Sequence, residues 1–514
     1  MNEKRSAGEP EPIAASVPRP KPSLSLTERT VVLVAHRYLS RVLFIITTAL
    51  LVRLFSEEVY GTYRQLFLVG NFCLVLFRFS LPTSLMYFVP QAERIEDKRR
   101  FAGQTVVLLT LFGLLAYGLL TGLAELLAYG FGNPLLTESL RIFAIWVGLS
   151  IASRYFNLLM YALERIGPTI AYNLGAQIVN IIILAVAFYF RAGLLTYLYL
   201  LVALEGVKWL TAFALAWGLL GGLSFRMSPQ SIRQQLGYAG PLAVSQITSR
   251  LSYDIDLLMV SYVYPVQDFA LYAIGAFELP LVKILRKTGS TVSLPRMVGL
   301  FRDGHVDEVL ALFQSVVRKT TILALPCFVF LLVMAEPFIE MFYTSKYLGS
   351  VPIFRVYLLL IPLSCAAFDV LIRVTGQTRP VMRLALIYMG IAIPLNVIAI
   401  YTLGLIGPAI ATVLCKLYIA FAHLRVVSQQ LQRPIRDLYP FVQSAQILLA
   451  SIVAMLPAAL LSRLAPNAFG QCLLAAVVFF PLCLAIFMYA RIVSATDLAP
   501  FRKWLGTRWR VTKA

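Results

Sequence analysis

Apolar runs long enough to cross a bilayer follow one another along almost the whole chain, separated by short polar stretches. A transmembrane helix needs roughly 20 apolar residues. Fourteen candidate runs lie at about 31–54, 62–88, 101–126, 138–161, 168–190, 194–220, 236–263, 268–290, 318–338, 351–374, 381–403, 408–428, 441–463 and 468–491. The connections are too short to hold a soluble domain. The pattern predicts an all-α polytopic membrane protein of about fourteen transmembrane helices. Residues 1–27 are Pro-rich and polar with no signal-peptide core, so a disordered cytoplasmic tail is expected there. Residues 493–514 form a second, basic tail.

The basic residues orient this array. With the N-terminus in the cytoplasm, 31 Lys and Arg fall in inner segments, and only Arg53, Arg191, Lys346 and Arg463 fall outside. Cytoplasmic loops carry such an excess, and one missed helix would invert every later loop. Both termini are therefore expected on the cytoplasmic side. Composition agrees: 59% hydrophobic residues, 14% charged and a mean hydropathy of +0.78 exclude a soluble globular protein. The net charge of +20 is spread between apolar runs, so it signals topology and not nucleic-acid binding. Cys73, Cys327, Cys365, Cys415, Cys472 and Cys483 stand singly, without metal or disulfide spacing, and read as packing residues. His36, His305 and His423 are equally scattered, so no metal, catalytic group or cofactor is expected.

The pattern also repeats. Ser40-Arg41 and Tyr63 recur 209 positions later as Ser249-Arg250 and Tyr272. Ser80-Leu81-Pro82 returns as Ser293-Leu294-Pro295, Arg141 as Arg355, Pro168 as Pro380 and Asn180 as Asn396, with offsets up to 216. Six spans per repeat insert with the same orientation, and parallel repeats meet about an axis along the membrane normal. The expected organisation is a first lobe at 28–222, a linker at 223–235, a second lobe at 236–430 and two additional helices at 441–492.

An arginine near the centre of a span costs roughly 2.5–3.5 kcal/mol on insertion scales, so it normally faces protein or water. Glu205 with Lys208, Asp369 with Arg373, and Arg250 with Asp254 stand three or four residues apart, so each pair can neutralise itself on one helix face. Arg141 and Arg355 begin their spans, where snorkelling explains them. Arg37 and Arg41 share one face of span 1 and repel each other, so an anion should answer them. Arg78 on span 2 has no acid within a helical turn, and Lys283 lies in the inner half of span 8. Arg37, Arg41, Arg78, Arg250 and Lys283 are the candidate substrate-binding residues. A basic pocket in a low-dielectric surround favours phosphate or diphosphate, which arginine grips bidentately.

Leu54-Phe55-Ser56-Glu57-Glu58-Val59-Tyr60-Gly61-Thr62-Tyr63 resembles the "LLGPEEYGLY" turn of the polysaccharide-exporter flippases in the multidrug/oligosaccharidyl-lipid/polysaccharide (MOP) superfamily. Gly404-Leu405-Ile406-Gly407-Pro408-Ala409-Ile410-Ala411-Thr412 is similar to that family's "GIxGAAIAT" motif before helix 12. The resemblance covers about residues 28–492. It implies a two-lobed, V-shaped carrier that moves a polyprenyl-diphosphate-linked oligosaccharide to the outer leaflet for cell-surface or exopolysaccharide synthesis. Its implied partners are the lipid-linked glycan, membrane lipids and polysaccharide synthesis enzymes. In that family basic residues on helices 1, 2, 7 and 8 line the cavity, and Arg41, Arg78, Arg250 and Lys283 match by helix and depth. The second repeat departs from the turn motif, since Pro265 to Tyr272 lacks the glycine.

Three alternatives stand beside this reading. A multidrug antiporter of the same superfamily would want an acidic pocket for cations, and a membrane glycosyltransferase or ligase would need carboxylates or a large outer loop. A non-transporting scaffold acting through basic tails is the third. Asp254, Asp256, Glu278 and Glu125 are candidate carboxylates for coupling to Na+ or H+. The topology has a direct check: maleimide added to intact cells should fail to label Pro10→Cys and Arg510→Cys. Labelling at either position would overturn the span count.

Overall fold

A computed structural model describes residues 26–277, 293–366, 368–376 and 379–492, and these are helical, with no strand among them. Among the described residues ten stretches are long and apolar enough to cross a membrane, and four of them, Glu57–Gln91, Leu135–Ala162, Ser345–Val374 and Met382–Leu431, each run over more than one helix. The chain is a multi-pass membrane protein. The end of the bundle that carries Arg99, Arg100, Arg226 and Arg233 is called here the basic end, and the opposite end the far end.

Helix α1 (Leu26–Leu54) ascends to the far end. There Ser56 caps α2 (Glu57–Arg78) by accepting from the Val59 N–H, which satisfies one of the donors a helix start leaves open. The expected single second span is broken. Phe79 and Ser80 adopt left-handed φ of 48° and 53°, and α3 (Leu81–Gln91) restarts with Pro82 in its first turn, where a missing N–H costs nothing. Residues 293–302, which include Ser293, the counterpart of Ser80 in the sequence repeat, are helical. Next come α4 (Ile95–Gly122), the short α5 (Ala124–Gly130), and α6 (Leu135–Ser153) with α7 (Tyr155–Ala162), which are offset at Arg154. Helices α8 (Ile166–Tyr189) and α9 (Leu194–Leu220) follow.

Helix α10 spans Pro229–Val263 and begins well before the expected residue 236, because hydropathy sees only its apolar part while Pro229 and the following glutamines already hold helical geometry. The connection before it is strapped to α4. Arg99 donates to the Leu220 carbonyl at 2.7 Å, Gln104 donates to the Arg226 carbonyl at 3.0 Å, and Ser231 donates to Gln104 at 2.8 Å. Helix α11 (Val266–Gly275) and the 293–302 helix, α12, precede α13 (Val306–Val333). A separate α14 (Ala335–Tyr343) was not apparent from hydropathy, and the expected tenth span consists of α15 (Val351–Leu358), α16 (Leu360–Ser364) and α17 (Phe368–Val374). The chain ends its described part with α18 (Arg379–Leu403), α19 (Gly407–Leu431), α20 (Ile435–Leu438), α21 (Phe441–Ser462) and α22 (Ala468–Tyr489).

The two halves meet at the far end where α2 lies along α11 and α10. Gly61 permits that approach. A Cβ there would stand 2.3 Å from the Val266 carbonyl oxygen, a distance that forces backbone movement. Tyr60 and Tyr347, both buried, pack edge to face beside it with ring centroids 5.8 Å apart. Gly61→Val should therefore cost about 1–3 kcal/mol through overpacking, read as a lowered melting temperature of the purified protein. Gly118→Val, on α4 where a Cβ meets nothing within 4 Å, should change it little.

Candidate functional site

A cavity of about 540 Å³ lies within the first half, between α1, α2, α6, α8 and α9. Helix α1 contributes His36, Ser40, Arg41, Phe44 and Thr47. The aromatic wall is Tyr63, Phe67, Trp146 and Tyr197. Helix α8 contributes Asn173, Gln177 and Asn180, spaced to fall on one face of a helix, while Ile178, Val179, Ile182 and Val186 on its other side are exposed, as befits contact with lipid. From α9 come Glu205 and Lys208, whose charges answer each other at 2.6 Å. Ser153 also donates to the buried Glu205 carboxylate at 3.2 Å. Among the described residues no carboxylate pairs with Arg41.

A second cavity, of about 160 Å³, lies between the halves. Phe44, Thr47, Tyr63 and Phe67 line both cavities and form the wall between them. Arg250 lines this second space and pairs with Asp254 one turn further along α10. Beside this cavity runs a polar zipper: Gln65 donates to Ser261 at 3.1 Å and accepts from Asn133 at 2.7 Å, and Asn133 also donates to Thr62 at 2.9 Å. All four side chains are buried, and such groups are paired where water is excluded.

Asp256 stands apart from both cavities, 1% exposed. Its carboxylate accepts from Tyr272 at 2.9 Å, from Tyr357, from Thr412 at 3.4 Å and from the Leu257 N–H at 2.9 Å. This cluster ties α10, α11, α15 and α19 together.

The structure places the residues singled out in the sequence as follows. Arg41 lines the first cavity and Arg250 the second. Arg78 sits at the inner break of the second span and donates to Gln246 of α10 at 2.8 Å, so it links the halves. Glu125 is exposed on α5 and accepts from Arg141 at 2.7 Å, and it lines neither cavity. The expected pairs Glu205–Lys208, Asp369–Arg373 and Arg250–Asp254 all form. Arg37 belongs to α1, but its side chain lies outside the described residues, as do Lys283 and Glu278 altogether. Sequence reading missed the amide stripe Asn173, Gln177, Asn180, although three amides at that spacing on an otherwise apolar span were a visible signal. It also missed the Gln65 zipper, because Asn133 lies on a loop far away in sequence.

The fold is a polytopic helical bundle that holds two cavities with polar lining. The chain belongs to a family described as polysaccharide biosynthesis protein, which matches residues 50–352. No curated protein sequence matches it. Among solved structures, lipid II flippase MurJ in an inward closed conformation is similar with a TM-score of 0.71 at 17% identity, over 90% of this chain and 99% of that one. A multidrug resistance MATE family transporter of the MOP superfamily, inward-facing, is similar with a TM-score of 0.63 at 12% identity, over 76% and 94%. A MOP superfamily transporter from Pyrococcus furiosus, described as having a binding pocket of reverse polarity, follows at 0.53 and 12%, over 78% and 93%. The fold is that of the MOP superfamily.

The Asp256 cluster yields a stability prediction. Asp256→Leu leaves buried tyrosine hydroxyls without their acceptor, at about 1–3 kcal/mol each, whereas Asp256→Asn keeps an acceptor oxygen. The leucine variant should melt several degrees lower than the asparagine variant. Equal melting temperatures would show that the tyrosines satisfy one another.

Proposed function

We propose that this protein is a flippase that carries a polyprenyl-diphosphate-linked oligosaccharide across the bacterial inner membrane by alternating access, with the basic end in the cytoplasm. The observation that carries the reading is Arg41, a guanidinium on α1 that lines a cavity with no carboxylate partner among the described residues, on a helix whose sequence reads as a membrane span. Such a charge is retained at membrane depth where an anion uses it, and a diphosphate suits its planar fork of donors. Membership of a polysaccharide biosynthesis family supports a glycan as the cargo. The resemblance of the fold to a lipid II flippase supports a lipid-linked one.

In this reading Arg41 receives the diphosphate, and Arg250 joins it when the wall of Phe44, Thr47, Tyr63 and Phe67 moves. Arg37 on α1 and Arg78 at the end of α2 would extend the basic path, and Lys283, outside the described residues, is the further candidate. Separation of Arg250 from Asp254 would free the arginine for substrate and the carboxylate for Na+ or H+, which gives Asp254, with Asp256 behind it, a coupling role. The gradient would then act on the same pair that grips the cargo. Glu278 is the further coupling candidate, and Glu125, already answered by Arg141 at the surface, is the weakest. Polysaccharide synthesis enzymes would supply and consume the cargo on the two sides.

Removing a charged partner from a low-dielectric site costs about 2–5 kcal/mol, so Arg41→Ala and Arg250→Ala should each cut transport more than about tenfold. Lysine should rescue only partly, since it keeps the charge and loses the bidentate fork. The measurement is lipid-linked glycan reaching the outer leaflet per folded carrier. Normal transport by both alanine variants would refute the reading. A defect confined to Arg250 would assign that residue to the coupling group.

A further inference from the structure

We propose that the cavity within the first half is a glycan subsite: its amide and aromatic walls hold the uncharged sugars of the cargo while Arg41 holds the phosphates at one edge. This rests on the flippase reading above and adds to it a place and a chemistry for the carbohydrate.

The lining carries the argument. Glu205 and Lys208 cancel at 2.6 Å, so the cavity wall offers Arg41 as its one unneutralised cation among the described side chains. The rest of the polar lining is neutral. Asn173 is set by reciprocal amide bonds with Asn157 at 3.1 and 3.4 Å. Asn180 accepts from Tyr197 at 3.4 Å, a bond that leaves its own N–H groups unused. The Gln177 Oε1 and Ser40 Oγ atoms are buried with no hydrogen-bond partner. Unanswered polar atoms in such a place cost free energy unless a ligand or water meets them.

Amides donate and accept from one flat group, which suits adjacent sugar hydroxyls and N-acetyl groups, each of which also does both. They suit an ion poorly. Facing the amides, Phe67 and Trp146 lie with ring centroids 5.3 Å apart, an apolar surface for the C–H face of a pyranose. A hydrophobic drug would leave the amides unpaired, and an organic cation would meet Arg41. Asn173 and Asn180 are about 10 Å apart along α8, and the volume falls within the roughly 300–1,000 Å³ typical of small-molecule sites. A short segment of oligosaccharide fills such a space.

The test separates sugar from phosphate. Full-length carrier in nanodiscs is titrated with undecaprenyl diphosphate, which has no sugar, and the same variants are assayed for export of lipid-linked glycan per folded carrier. Gln177→Leu combined with Asn180→Leu should lower export about tenfold or more and leave affinity for undecaprenyl diphosphate within about twofold of the parent. Ala176→Phe, which removes no hydrogen bond and fills the cavity from its wall, should do the same, and it carries the test if the amide variants misfold. Arg41→Ala should weaken undecaprenyl diphosphate itself. Export within about twofold of the parent for the amide and cavity-filling variants overturns the subsite, and so does a parallel loss of diphosphate binding. If the parent shows no saturable, Arg41-dependent binding of undecaprenyl diphosphate, the flippase reading falls instead, whatever the amide variants do.

Discussion

The packing of α2 against α11 is the contact on which the arrangement of the two halves depends. It occurs where a backbone carbonyl, at Val266, reaches a helix that has no side chain to meet it, at Gly61. One turn along, Gln65 takes up the Ser261 hydroxyl and the Asn133 amide, so the apolar approach is accompanied by a polar lock with direction and register. Dispersion alone would let the helices slide, whereas a hydrogen bond in a dry interface fixes one position. A carrier also needs such a contact to be breakable. Hydrogen bonds across a small-residue approach can be exchanged for water, which a large apolar interface resists.

Much of this was legible in the sequence. Hydropathy located the ten stretches long and apolar enough to cross a membrane, though the expected spans at 31–54, 236–263 and 268–290 are not among them, and the three ion pairs followed from spacing, because residues three or four apart share a helix face. The glycine of the turn motif was legible as a resemblance and acquires its physical meaning only from the structure. Its counterpart in the second repeat, Ala270, sits on the helix that Gly61 lets in. A glycine is needed on one side of an approach and not on both, which explains why the second copy of the motif lacks it.

What the sequence did not show was partition. Arg41 and Arg250 were equivalent by repeat and depth, yet Phe44, Thr47, Tyr63 and Phe67 stand between the spaces they line. That wall is assembled from two helices whose mutual rotation no periodicity reveals. Breaks within helices were hidden as well: the left-handed turn at Phe79 and Ser80 leaves hydropathy unchanged. Asp256 was visible as a carboxylate left over beside a satisfied pair, but its partners Tyr272, Tyr357 and Thr412 come from three other helices.

Charges draw the eye in a membrane protein because they are costly, and the amides of α8 show what that emphasis passes over. An amide costs less to insert than an ion and still cannot be left unanswered, so three on one face of an apolar helix imply a polar surface opposite. A cargo that joins a diphosphate to sugars presents a strong point charge and a larger neutral polar body. A carrier that gripped both by charge would release neither. Under the proposed flippase reading, confining charge to a few arginines and meeting the body with amides and rings would keep the contact extensive and individually weak, a property that a site opening to the other side needs.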